Sequence, residues 1–222
     1  MRKSLILLLT IILINGCTTK EDMSHKDINI TTSDDIKLSA DLYEAGDEGI
    51  VLLHMLSVTK KTWNEFALKL QEEGYSVIAI DLRGHGQSDL DYKTFTEEDF
   101  NNMLLDVDAA KKALNKEKVA VIGASIGANL AIIKANDFDA AISLSPGLDY
   151  KGLKTKNNAE KIETPILIVA SGDDRYSFES SKELNELIGS SELELYSNKG
   201  HGTNMLDEET TKFLLDWLEE NF

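Results

Sequence analysis

Five short, uninterrupted apolar runs separated by helical periods constrain the fold of this chain more than any other feature. The runs lie at 50–53, 77–80, 119–122, 140–142 and 166–169. Uninterrupted runs are typical of parallel strands, because the helices that connect such strands cover both faces of the sheet. The pattern therefore predicts an α/β fold with a doubly wound, mostly parallel sheet. Ligands of such sheets bind at the carboxyl ends of the strands.

Alternating apolar residues at either end of the chain predict three more strands. Ile28 and Ile30 alternate with polar residues, and the alternation resumes over residues 36–42 after a Ser-Asp-Asp turn. A period of two on both sides of a turn indicates an antiparallel hairpin. Leu193 and Leu195 alternate in the same way and indicate an edge strand. The prediction is an eight-stranded sheet with helices on both faces.

Apolar residues at helical spacing fill the segments between the runs. Gly74 and Gly189 are placed to end two of these helices, and Thr96 with Asp99 resembles a capping arrangement at the start of another. The stripes that predict buried helix faces lie at 63–70, 100–107, 184–188 and 213–218.

The first residues read as an export signal. A positive start, Met1-Arg2-Lys3, precedes an apolar stretch over 5–14, which is shorter than the roughly 20 residues that span a bilayer. The following Ile-Asn-Gly-Cys resembles the lipobox of prokaryotic lipoproteins, which implies cleavage before Cys17 and lipid on that cysteine. The expected domains are a signal peptide at 1–16, a lipid-anchored tether at 17–26 and one folded domain at 27–222. The alternative is an ordinary secretory signal with an incidental cysteine.

Charge and cysteine content narrow the possible partners. The formal net charge is −16, so phosphate backbones of nucleic acids are repelled, and no nucleic-acid partner is expected. Cys17 is the single cysteine of the chain, so no intramolecular disulfide and no cysteine-based metal cluster can form. If lipidated, Cys17 would hold the exported protein on a prokaryotic cell membrane, because two or more acyl chains make a stable anchor.

A glycine-flanked serine stands where the third of the five apolar runs ends. Residues 123–127 read G-A-S-I-G, and a helical segment follows. G-x-S-x-G between a strand and a helix is the signature of a nucleophile elbow, which exposes the serine hydroxyl on a sharp turn. Glycines at 123 and 127 leave room for strand and helix to approach closely. A plain strand-to-helix turn is the alternative interpretation of the motif.

The chain resembles the α/β-hydrolase family over about 28–222. The resemblance includes the G-x-S-x-G motif, Leu-His at 53–54, and the segment D-L-R-G-H-G-Q-S at 81–88. The family orders its catalytic triad as serine, acid and histidine along the chain. The resemblance implies that Ser125 is the nucleophile and His201 the base, since His25, His54 and His85 all precede the serine.

The acid and the oxyanion donors are implied less directly. The family acid follows the strand at 166–169, where Asp173 and Asp174 are adjacent; Asp174 fits the family spacing better, with Asp173 as the alternative. One oxyanion-hole donor should be the N–H of Ile126. The other should be the N–H of Leu56, or of Met55, in the loop after the first apolar run.

These residues lead to an expected activity. The resemblance implies a serine hydrolase that cleaves a small-molecule carboxylic ester without a metal or an organic cofactor. Only 18 residues, 147–164, are available for a cap over the site, which predicts an open site and a broad or short-chain esterase. Tyr150 in this segment either borders the pocket or belongs to a plain connecting loop. The alternatives are a peptidase or perhydrolase with the same triad, or a catalytically silent lipid-anchored binding protein.

Overall fold

A computed structural model describes residues 24–222 and contains the predicted eight-stranded sheet. Its strands are β1 (Lys26–Thr31), β2 (Lys37–Tyr43), β3 (Gly49–Leu53), β4 (Ser76–Ile80), β5 (Val119–Ala124), β6 (Ala140–Leu144), β9 (Ile166–Ser171) and β10 (Glu192–Tyr196). A separate hairpin pairs β7 (Asp149–Tyr150) with β8 (Leu153–Lys154). The strand order is β1-β2-β4-β3-β5-β6-β9-β10, and β2 is antiparallel to both of its neighbours.

Seven α-helices accompany the strands in the described part of the chain. They are α1 (Asn64–Glu72), α2 (Glu97–Asn101), α3 (Met103–Leu114), α4 (Ile126–Lys134), α5 (Lys156–Ala159), α6 (Arg175–Ile188) and α7 (Glu208–Asn221). Two apolar clusters, one on each face of the sheet, bury the inner faces of these helices. All side chains of β3, β4, β5, β6 and β9 are buried, which is the reason for their uninterrupted apolar sequence.

The structure confirms the eight predicted strands and refines one predicted helix. The apolar stripe at 100–107 belongs to two helices, because the regular helical hydrogen bonding is interrupted at Asn102. Its N–H is shared by the carbonyls of Glu98 and Phe100, and its own carbonyl accepts a bond from Leu105 three residues on. The predicted capping pair is present, with Thr96 Oγ1 accepting the Asp99 N–H at 3.3 Å.

The short connection at 147–164 contains more structure than the sequence predicts. It folds into the β7–β8 hairpin and the four-residue helix α5. The predicted signal peptide, Cys17 and most of the tether lie outside the described residues. Within 24–222, none of the helices has the length and apolar character needed to cross a membrane.

The closest packing in the fold occurs where β5 meets α4. A Cβ atom at Gly123 would lie 2.0 Å from the Gly127 carbonyl oxygen, and one at Gly127 would lie 2.3 Å from the Leu53 carbonyl oxygen. Both contacts involve backbone that cannot move independently of the sheet. The two glycines therefore let the helix start directly above the ends of two central strands.

Gly127→Ala tests how much the fold depends on this approach. We expect a loss of more than about 3 kcal/mol in the free energy of unfolding, because the methyl group must displace backbone of β3. Urea denaturation followed by circular dichroism gives the value. Gly189→Ala is the matched control: a Cβ there meets nothing within 4 Å, and only its φ of +69° is unfavourable. That control should lose about 1 kcal/mol. Equal losses for the two variants would contradict the steric explanation.

Candidate active site

Ser125 occupies a strained turn between β5 and α4. Its backbone has φ of 54° and ψ of −114°, a conformation that L residues rarely adopt. Its N–H donates to the Leu144 carbonyl at 2.9 Å, and its carbonyl accepts the Asn129 N–H at 3.1 Å. These two bonds hold the turn between β6 and the first turn of α4. The serine is therefore placed at the carboxyl end of the sheet with its neighbouring backbone fixed.

The structure brings His201 and Asp174 into direct contact. His201 Nδ1 lies 2.5 Å from Asp174 Oδ2, and both side chains are partly exposed. Asp174 is also the N-cap of α6, where its other oxygen accepts the Ser177 N–H at 3.5 Å. Asp174 can therefore orient the imidazole and hold its proton on Nδ1.

Asp173 has a different set of partners from Asp174. Its carboxylate accepts the Gly200 N–H at 3.1 Å and the Ser171 hydroxyl at 2.5 Å. Ser171 Oγ in turn accepts the Lys199 N–H at 2.7 Å. The bonds to Ser171 and Gly200 lower the pKa of the Asp173 carboxyl. The alternative acid of the sequence analysis thus holds the backbone just before His201 and makes no contact with the ring.

Ser145 holds the same loop from the other side, a role that the sequence did not suggest. Its φ is +55°, and its Oγ accepts the Gly202 N–H at 2.9 Å. The one feature of the sequence that could have indicated this role is its position: Ser145 is a polar residue at the end of an apolar run and directly before a proline. With Ser171 and Asp173, this residue determines where the His201 ring stands relative to β5 and β6.

The loop after β3 is held by a buried, neutral histidine. His54 Nδ1 donates to the Met55 carbonyl at 2.7 Å, and Nε2 accepts the Leu82 N–H at 3.0 Å. Complete burial, with the neighbouring His85 ring, lowers the pKa of His54 to about 4. A neutral ring is required for Nε2 to act as an acceptor. His54 therefore joins the loops after β3 and β4, in agreement with a structural role.

The N–H groups of Leu56 and Ile126 have no protein acceptor in the described part of the chain, and the same holds for the N–H of Met55, the alternative donor. Leu56 and Ile126 are the donors that the sequence analysis favoured for an oxyanion hole. Met55 turns its sulfur toward the loop of His201. A Cβ at Gly202 would lie 2.4 Å from that sulfur. The methionine therefore packs under the loop of His201.

Tyr150 reaches the site from the β7–β8 hairpin. Its hydroxyl lies 2.8 Å from Ser177 Oγ. Burial raises the pKa of Tyr150 to about 12, while hydrogen bonding to Ser177 partly opposes that rise. Of the two interpretations of this residue, the structure favours the one that places it at the border of the site.

Other features of the surface are separate from this centre. A groove of about 1100 Å³ runs between α1 and α7, and neither Ser125 nor His201 lines it. His25, Asp27 and Asp41 bring one possible metal-ligand atom each within 4.8 Å of one another. Lys60 Nζ already lies 3.2 Å from Asp41, so a lysine ammonium balances the charge of that carboxylate.

Several known proteins are similar to this chain in sequence. A family model described as serine aminopeptidase, S33, matches residues 46–154, which include Ser125 and end before Asp174 and His201. An AB hydrolase superfamily protein of Bacillus subtilis, YisY, is 27% identical over 186 residues, covering 74% of this chain and 68% of the relative. An uncharacterized protein of Mycobacterium tuberculosis is 33% identical over 102 residues, 44% of this chain. That match spans only 29% of the mycobacterial protein's length.

Solved structures show the same architecture. An esterase of Pyrococcus furiosus superposes with a TM-score of 0.75 at 21% identity, covering 90% of this chain and 91% of the esterase. At this identity the likeness establishes the fold alone. The chain has the α/β-hydrolase fold, and in sequence it is similar to a protein of the AB hydrolase superfamily and to the serine aminopeptidase, S33, family model.

Proposed function

We propose that the protein is a serine hydrolase that cleaves carboxylic esters through an acyl-enzyme on Ser125. The observation that carries the proposal is the contact of 2.5 Å between Asp174 and His201, on the loop beside a serine held in an elbow conformation. Triad chemistry requires a serine nucleophile, a histidine that can take its proton and a carboxylate that orients the histidine.

In the proposed mechanism, Ser125 Oγ attacks the acyl carbon while His201 Nε2 takes its proton. Asp174 keeps the other ring proton on Nδ1 and stabilises the imidazolium that forms. The proton then passes to the departing alcohol. Water, deprotonated by His201, next attacks the acyl-enzyme and releases the acid. As the bond from the acyl carbon to Ser125 Oγ breaks, His201 returns its proton to Oγ, so the steps use only groups of this chain, the substrate and water.

The N–H groups of Leu56 and Ile126 are assigned to the oxyanion. Both lack a protein acceptor in the described residues, and Ile126 is also the first residue of α4, whose dipole favours negative charge at that end. Losing one such donor typically costs about 2.7–4 kcal/mol in the barrier. The His54 bonds that hold the loop after β3 therefore support the chemistry indirectly.

The short cover over the site supports a small or broadly accepted acyl group. The segment 147–164 consists of one small hairpin and one helical turn. A long acyl chain would lack an enclosing apolar lid. The structural neighbour from Pyrococcus furiosus is described as an esterase, which supports ester cleavage as the proposed reaction.

A peptidase is the second candidate, and one observation favours it. The family model that matches residues 46–154 is described as serine aminopeptidase. The same triad serves amide and ester hydrolysis. A perhydrolase would use the same three catalytic residues. A binding protein of this fold without catalytic activity is the alternative that is not an enzyme. Rates on matched ester and amide substrates decide among these candidates.

We also propose that the protein is exported and held on a prokaryotic membrane by lipid on Cys17. The support is the sequence alone: a positive start, an apolar stretch at 5–14 and one cysteine directly after it. A lipid anchor would place the hydrolase at a membrane surface without any spanning helix.

Fluorophosphonate labelling tests the nucleophile. The wild-type protein should gain one phosphonyl adduct, which peptide mass spectrometry should locate on Ser125, and should hydrolyse p-nitrophenyl acetate. Ser125→Ala should lose both reactions without unfolding, since the side chain is small and the turn is held by backbone bonds. Ser190→Ala, at an exposed serine, is the control and should behave as the wild type. An adduct that persists in Ser125→Ala would contradict the assignment.

A pair of conservative variants tests the acid. Asp174→Asn should lower the turnover number by about 10³–10⁴, because an amide no longer stabilises the imidazolium or the required tautomer. Asp173→Asn is the matched variant one residue away and should cost less than about tenfold, since it affects only the loop before His201. Turnover of p-nitrophenyl acetate at saturation provides both values. If Asp173→Asn were the more damaging, the acid would be misassigned while the hydrolase proposal would stand.

Cys17→Ser tests the anchor. In a bacterial host that processes lipoproteins, the unsubstituted chain should incorporate radiolabelled palmitate and partition into the detergent phase of Triton X-114. The variant should do neither, because its hydroxyl cannot form the thioether that carries the lipid. Incorporation or detergent partition that survives in the variant would rule out the lipidated-cysteine assignment.

A further inference from the structure

The residue that follows His201 is the point where three parts of the site meet. A Cβ atom at Gly202 would lie 3.3 Å from the Cβ of Ala124, the last residue of β5, and 2.4 Å from Met55 Sδ. The Gly202 N–H donates to Ser145 Oγ at 2.9 Å. Because Gly202 has no side chain, the loop of His201 lies directly against the end of β5 and against the loop after β3.

The side chain of Met55 is enclosed by the loop of His201. The Thr203 hydroxyl donates to Met55 Sδ at 3.9 Å. A Cβ atom at Gly202 would also lie 2.9 Å from Met55 Cγ. Only 8% of the methionine is exposed. The sulfur therefore occupies the space that a side chain at position 202 would fill.

The main chain of Met55 belongs to the loop that carries a proposed oxyanion donor. Its carbonyl accepts the His54 Nδ1–H at 2.7 Å, and the next residue is Leu56. Donors of an oxyanion hole have to lie about 2.7–3.1 Å from the oxygen that they stabilise, so small displacements of this loop weaken them. One residue thus joins the loop of the donor Leu56 to the loop of the base His201.

We propose that Met55 is a positioning residue whose sulfur sets the distance between the loop after β3 and the loop of His201. The inference rests on the proposed function. Met55 acts through Leu56 and His201, because its side chain lies between their loops. The oxyanion forms only as the acyl carbon is attacked, so the spacing affects the transition state more than the bound ester. The expected signature is a lower kcat at a nearly constant KM.

Two single substitutions disturb this spacing in opposite directions. Met55→Ala removes the sulfur and leaves a gap, whereas Gly202→Ala adds a methyl group where the sulfur already lies. The unbranched methionine can move aside, so Gly202→Ala should still fold. With p-nitrophenyl acetate and the full-length protein in detergent micelles, each variant should lower kcat about tenfold and keep KM within about twofold.

The double variant Met55→Ala/Gly202→Ala is the decisive measurement. Its new methyl group enters the gap that the missing sulfur leaves, so one group again separates the two loops. We expect its kcat to exceed that of either single variant by about fivefold or more. Met55→Leu conserves most of the side-chain volume and should likewise recover kcat to within about threefold of the wild type.

Gly200→Ala is the matched control on the other side of His201. Gly200 has a φ of +80°, so alanine is unfavourable there as it is at Gly202, where φ is +56°. A Cβ at Gly200 would make only an ordinary contact of 3.4 Å with Asn204 Cβ. This control should keep kcat within about threefold of the wild type. Fluorophosphonate, allowed to react to completion, counts the active sites, so that kcat refers to folded enzyme.

The outcomes separate this inference from the proposed function. Losses of kcat that multiply in the double variant would show that Met55 and Gly202 act independently, and would overturn the proposal. An equal loss in Gly200→Ala would do the same, because it assigns the effect to backbone strain. If Gly202→Ala does not fold, equal kcat values for Met55→Ala and Met55→Leu overturn the proposal. A wild-type protein without a fluorophosphonate adduct would remove the proposed function as well.

Discussion

The approach of α4 to the ends of β5 and β3 is the constraint on which the site depends. Gly123 and Gly127 allow backbone atoms of the helix, the strand and the neighbouring strand to come together with no side chain between them. The chain can make so sharp a turn only if the intervening residue adopts an unusual backbone conformation, and Ser125 does so with φ of 54°. The strain at the serine is offset by the many apolar contacts of the surrounding sheet. The position of the proposed nucleophile is thus a consequence of core packing.

The loop that carries His201 is held by small polar side chains instead of an apolar core. Ser145, Ser171 and Asp173 bond the backbone on either side of the ring, and Met55 packs beneath it. Such bonds fix a loop at the sheet edge where there is too little apolar surface to bury. They also separate the two neighbouring aspartates by function, since Asp173 binds backbone and Asp174 binds the imidazole. The polar arrangement determines which carboxylate can reach the ring.

The segment at 81–88 organises the opposite side of the site. Asp81 is buried and accepts the N–H groups of Lys60 and Gln87 at 2.8 and 3.0 Å, and a Cβ at Gly86 would collide with its carboxylate. Arg83 is held by Asp106, whose carboxylate accepts both its side-chain and its backbone N–H at 2.8 Å. Breaking a buried pair of this kind is typically costly, about 3–5 kcal/mol. The Leu82 N–H bond to His54 and the Lys60 N–H bond to Asp81 tie this segment to the loop after β3, which carries the proposed oxyanion donor Leu56.

The sequence by itself determined the sheet and the elbow, because apolar periodicity and glycine at 123 and 127 report local geometry and burial directly. It also narrowed the proposed base to His201 through chain order, and left Asp173 and Asp174 both open. Only the tertiary structure showed which of the two contacts the imidazole, since adjacent residues point in different directions once α6 begins. Only the structure brought Ser145 against the loop of His201 and Tyr150 beside Ser177, because those contacts join residues that are far apart in the chain. Burial produces a periodic pattern of apolar residues, and sharp turns require particular residues such as glycine, so both can be predicted from the sequence. Side-chain contacts between distant residues produce no such pattern.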